Sequence, residues 1–103
     1  MKNQEPDAVR LKQARLMILS NLNRLYPTPI QVQMLFRVML AFDETYSMSL
    51  LEKDVCYLKQ KEYVEYIDEK IGGYYHFHRK FLGLTAEGKE IADRTATDDA
   101  LEI

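Results

Sequence analysis

Two runs of β-branched and aromatic residues, joined by Gly72-Gly73 and entered directly from a helix, constrain this chain more than any other feature. The first run holds Tyr63, Val64, Tyr66 and Ile67; the second holds Tyr74, Tyr75, Phe77 and Phe81. Glycine reaches positive φ without steric penalty, so a Gly-Gly pair between two such runs signals a hairpin. In the preceding helix, Leu51, Val55 and Leu58 recur at i, i+4 and i+7, which places them on one buried stripe. Ser47 stands at the N-cap, where its hydroxyl can accept from an amide of the first turn. The opposite flank carries Ser49, Lys53, Cys56, Tyr57 and Gln60, all placed to meet something outside the domain.

The remaining elements follow from periodicity and punctuation. Residues 1–6 read as a flexible lead, and Asp7 as the cap of a helix that runs to about Tyr26. In that helix Leu11, Ile18, Leu22 and Leu25 share a face, and Leu16, Leu19 and Tyr26 widen it. Its first half also bears Arg10, Lys12 and Arg15, either a solvated basic face or a surface for phosphate or a second subunit. Pro27-Thr28-Pro29 ends the helix, since neither proline donates an amide and each disfavours helix before it. Residues 28–30 can supply a short strand. A second helix then spans about Ile30 to Phe42, with Val32, Leu35, Phe36 and Met39 inward. Met34 and Val38 lie on its other side and require cover from another element or a second subunit. After the hairpin, Thr85 caps a short helix with Ile91 as its apolar anchor. The domain therefore occupies residues 7–94, and residues 95–103 form an acidic tail.

Composition excludes several classes. A chain of 103 residues has room for one small core. No stretch approaches the roughly 20 apolar residues of a membrane span. The first ten residues lack the apolar centre of a signal peptide, so the expected compartment is the cytoplasm, with no membrane partner. A single Cys excludes an internal disulfide. His76 and His78, two apart on the expected second strand, point the same way and with Cys56 could approach a metal; read as surface groups, they leave the chain without a metal or cofactor. Cys56 as a redox thiol would need cations close enough to depress its pKa, which spacing alone does not supply. No paired carboxylates, Ser-His-Asp set or glycine-rich phosphate loop is arranged for catalysis, so the chain reads as a non-enzyme. The net charge is −2, but Glu87, Glu90, Asp93, Asp98, Asp99 and Glu102 concentrate the acid after Gly83, and the body is slightly basic.

Three local patterns carry a family resemblance. They are the capped helix passing through Leu58 into Tyr63-Val64, the Gly72-Gly73 tip, and Leu84-Thr85-Ala86-Glu87-Gly88 after the hairpin. In this order they resemble the winged helix-turn-helix superfamily over about residues 9–94. The last pattern is similar to the Leu-Thr-x-x-Gly exit of MarR-like and PadR-like regulators. Size and ending also resemble small winged-helix proteins encoded by Mu-like prophages. The fold implied is α+β and mostly helical, in the order α1-β1-α2-α3-β2-β3-α4 for the segments just named.

The resemblance implies a dimeric regulator that lays its third helix in the major groove of double-stranded DNA. Ser49, Lys53, Tyr57 and Gln60 would then face bases, with Lys59 and Lys61 nearer the backbone. In the wing Lys70, His76, His78, Arg79 and Lys80 would meet phosphates or the minor groove. Glu52, Asp54 and Glu62 depart from this pattern by offsetting the helix's lysines. A homodimer would use the first and last helices, with Leu16, Leu19, Met34, Val38 and Ile91 as interface candidates. The rival expectation is a protein-interaction winged helix that touches no DNA, using Met34, Val38 and the tyrosines around the wing. Of the seven tyrosines, Tyr57, Tyr63, Tyr66, Tyr74 and Tyr75 lie there, and tyrosine suits interfaces as well as core edges.

Overall fold

Among the described residues, four helices and a three-stranded antiparallel sheet follow one another roughly in the expected order. They are α1 (Glu5–Arg24), β1 (Ile30–Gln31), α2 (Val32–Phe42), α3 (Met48–Gln60), β2 (Val64–Ile67), β3 (Phe81–Leu84) and α4 (Ala86–Thr97), in a computed structural model that describes residues 5–67 and 76–97. Helix α1 starts before Asp7, because Pro6 in the first turn gives up only an amide that has no intrahelical acceptor anyway. It stops ahead of Pro27, where backbone bonds from Tyr26 to Asn23 and from Thr28 to Leu25 close two successive turns. Among the described residues no helix is long and apolar enough to cross a membrane.

The core collects one face of each helix and the inner face of the sheet. Ile18, Leu19 and Leu22 of α1 meet Val32, Leu35 and Met39 of α2 and the Leu51-Val55-Leu58 seam of α3. Tyr46, Val64, Leu82, Leu84 and Ala92 complete it among the described residues. This corrects two expectations for α1. Leu19 is fully buried within the chain and leaves the interface set, whereas Leu11 and Leu25 are 42% and 51% exposed. The stripe is rotated toward residues 18, 19 and 22 because α1 must serve α2, α3 and α4 together. In α4 the buried anchor is Ala92, with Ile91 half-buried beside it.

The sheet order is β1-β3-β2, so β3 is central. Leu82 pairs with Ile30 on one side and Tyr66 on the other, and Leu84 pairs with Val64. The expected second strand of the hairpin is thereby displaced. Phe77–Arg79 form a 3-10 turn, and the strand begins at Phe81. Alternation accounts for the choice: residues 81–84 put Leu82 and Leu84 into the core, with Gly83 fitting under Ile67 at a Cβ clearance of 3.4 Å. His76 and His78 are therefore on a turn, not a strand, yet their rings stack at 5.9 Å and 10°. The Gly72-Gly73 tip, Tyr74, Tyr75 and Lys70 lie outside the described residues, as do residues 1–4 of the expected lead and 98–103 of the expected tail.

Helix α3 ends in a left-handed cap. Glu62 has φ 66°, its amide donates to the Lys59 carbonyl, and the Tyr63 amide donates to the Leu58 carbonyl. These two bonds satisfy carbonyls that the helix end would otherwise orphan, and Tyr63 and Leu58 both pack in the core. A glutamate is strained at positive φ and glycine is not. Glu62→Gly is expected to stabilise the fold by about 0.5–1 kcal/mol in urea unfolding, and a loss of stability would contradict this account of the cap.

Candidate functional site

Helix α3 is held from below and left open above. At its start Ser47 Oγ accepts from the Leu50 amide at 3.1 Å, as expected. The turn before it is tied to α1: Asp43 accepts from Thr45 and from the Arg10 guanidinium. Those bonds, Thr45 first and Arg10 second, hold the Asp43 carboxyl down to about 2. Leu51, Val55 and Leu58 are all fully buried, so the seam lies where periodicity placed it.

Asp54 shares that seam. It is 3% exposed, and its Oδ2 accepts from the Tyr46 hydroxyl at 2.6 Å. Its Oδ1 faces Arg15 Nε at 3.8 Å, longer than a hydrogen bond. The expectation that Asp54 offsets lysines on the outer surface is thus corrected. Position 54 stands three residues after Leu51, on the inner side of the helix, and the acid is retained there by a phenol and a guanidinium. Burial raises its carboxyl above the usual range, against the lowering effects of Tyr46 and Arg15, and burial together with the same contact pushes the Tyr46 phenol up.

Above the seam, Ser49, Lys53, Cys56 and Gln60 are exposed, with the Gln60 amide 3.9 Å from Cys56 Sγ. Tyr57 is half-buried because Arg15 of α1 lies over its ring, 3.6 Å from the centroid. At the far end of α3, Lys59 and Lys61 are exposed. Lys59 Nζ lies 5.6 Å from the Tyr66 ring on β2, and Lys80 Nζ lies 4.5 Å from the same ring. Lys61 lies 5.7 Å from Tyr57. Cations at such distances from ring faces are attracted by the ring quadrupole, which here gathers the amines at the α3–sheet junction. His76, His78 and Arg79 belong to the adjacent turn, with all three side chains exposed. The structure thus brings Lys59 and Lys80 to Tyr66, and Lys61 to Tyr57 together with Arg15, which the sequence placed only on a basic face of α1.

The expected interface residues do not behave as one group. Met34 is 53% exposed, Val38, Leu16 and Ile91 are half-buried, and Leu19 is in the core. Other apolar groups lie open: Phe42 is 74% exposed, and Leu11 and Leu50 share a cleft with it. Periodicity marks such residues as apolar but not whether a neighbour covers them. Among the described residues no set of three His, Cys, Asp or Glu side chains is placed to hold a metal ion. No protein-family model, curated protein or solved structure matches the chain.

Proposed function

We propose that this chain is a winged-helix DNA-binding protein with a regulatory role, in which α3 enters the major groove and the β2–β3 ribbon acts as the wing. One observation carries the reading: the outer flank of α3 is uncovered, and its end meets the sheet at the Lys59–Tyr66–Lys80 cluster. With Asp54 turned inward, the exposed charges of α3 and its cap are Lys53, Lys59 and Lys61 against Glu52 and Glu62. Ser49, Lys53 and Gln60 offer the donors and acceptors that read base edges, while Lys59, Lys61, Arg79 and Lys80 suit phosphates. A homodimer through α1 and α4 would place Leu16 and Ile91 at the contact and leave α3 free.

Fluorescence anisotropy with a mixed-sequence duplex at two salt concentrations tests this. Four or so phosphate contacts give an affinity that falls about a hundredfold between roughly 50 and 200 mM salt. Lys53→Glu is expected to weaken binding at least about tenfold, and Lys80→Ala to lower the salt slope by about one. Absence of binding at the lower salt sinks the reading.

A second reading, a protein-interaction module without DNA contact, is favoured by Met34, 53% exposed, with half-buried Val38 one turn further along α2. It gains if duplex DNA fails to bind and Met34→Asp changes the mass of the assembly in light scattering.

A further inference from the structure

We propose that the cleft between α1, the end of α2 and the start of α3 is a binding site for a small amphipathic molecule with a protonated amine on an apolar body. The proposal does not rest on DNA binding. The cleft encloses about 690 Å³, within the range of roughly 300–1,000 Å³ common to small-molecule sites. Its walls are apolar, formed chiefly by Leu11, Met17, Met39, Phe42 and Leu50. Phe42, Leu11 and Leu50 leave 74%, 42% and 37% of their surface open, so an apolar body seated there covers groups that the fold itself leaves in water.

The polar groups define the other half of the ligand. At the mouth Arg10 and Asp43 pair with each other, and Thr45 accepts from Arg10 as well. Deeper in, Tyr46 and Asp54 also line the cleft. The Tyr46 hydroxyl is committed to Asp54 Oδ2, which leaves Oδ1 with Arg15 Nε at 3.8 Å. Arg15 Nε is itself buried without a hydrogen-bond acceptor among the described residues, so the pair stops short of a charge-assisted bond. Asp43 and Asp54 against Arg10 leave the lining with an excess of negative charge, and Asp54 meets Arg15 only at 3.8 Å from outside the lining, which favours an ammonium over a neutral or anionic group. Desolvation already disfavours the ionised Asp54, and a cation in the cleft would relieve that cost.

The test uses calorimetric titration of the full chain at neutral pH with three probes of one shape: phenylethylamine, phenylethanol and phenylacetate. The amine is expected to bind at least about tenfold more tightly than either of the others, and Asp54→Asn to erase the preference while helical circular dichroism is retained. Equal affinity for the three probes, or no binding of the amine in the millimolar range, overturns the proposal. So does a dimer in light scattering that Phe42→Asp dissociates while wild-type protein takes no probe, since a second copy would then occupy the cleft. The probe comparison on wild-type protein decides the matter even if Asp54→Asn fails to fold.

Discussion

Gly88→Ala is expected to remove more than about 4 kcal/mol of stability, a large share of what a domain of this size possesses. A Cβ on residue 88 would lie 1.8 Å from the Tyr63 carbonyl oxygen and 2.7 Å from its carbon. Both are backbone atoms, so no rotamer change relieves the overlap, and α4 would have to move away from the end of α3. That movement has further costs. The Thr85 amide donates to the same Tyr63 carbonyl at 3.1 Å, Thr85 Oγ1 donates to the Glu62 carbonyl at 2.5 Å, and the Gly88 amide donates to Thr85 Oγ1 at 2.9 Å. One threonine therefore caps α4 and ties it to the α3–β2 junction, and glycine allows the approach that makes this possible. Urea unfolding followed by circular dichroism measures the effect. A loss below about 1 kcal/mol would mean that the junction yields far more than a packed backbone contact does.

The second large effect is expected at Asp54. Asp54→Ala leaves the Tyr46 hydroxyl and the Arg15 guanidinium without their acid in a mostly buried place, and about 3 kcal/mol should be lost. Asp54→Asn keeps an acceptor for Tyr46 and should cost about 1 kcal/mol at neutral pH. The two proteins should then diverge with pH. The folded-state carboxyl of Asp54 is raised above its ordinary 3.8, so the folded chain takes up the proton first. Its contribution to stability is full below the unfolded value and is lost as pH rises through the folded one. Wild type should accordingly gain on Asp54→Asn as acidity increases. Asp43 and Asp93 act in the opposite sense. Asp43 is lowered by Thr45 and Arg10, and Asp93 by Asn23 and Lys89, so their contributions hold above the unfolded value and fade as pH falls through the folded one. Since both proteins share those groups, the difference between wild type and Asp54→Asn isolates residue 54. A difference that stays flat with pH would contradict the buried, raised carboxyl.

Asp54 also shows where sequence reasoning reaches its limit. Leu51, Val55 and Leu58 were legible as a seam because apolar residues at helical spacing define one face of a helix, and that face has to be buried. An aspartate in the same stripe reads as an exposed charge, since only the fold brings Tyr46 and Arg15 to it. The strand β3 was misplaced for a related reason. Tyr74, Tyr75, Phe77 and Phe81 form the aromatic run that reads as the second strand, ahead of Leu82-Gly83-Leu84. Leu82 and Leu84 nevertheless fill the core while Ile67 covers the glycine. The caps at Ser47 and Thr85 were legible, each having a local cause, whereas the need for glycine at position 88 comes from the distant Tyr63 backbone. The cleft was not, because Leu11, Phe42 and Leu50 come from three helices that no single periodicity relates.

The outer flank of α3 is tested most directly by amide chemical-shift mapping while duplex DNA is titrated at low salt. Shifts concentrated at Ser49, Lys53, Cys56 and Gln60, continuing to Lys80 on the sheet side, are the expected result. Spectra that do not change, or changes confined to Leu11, Phe42 and Leu50 around the cleft, would contradict α3 as the recognition surface.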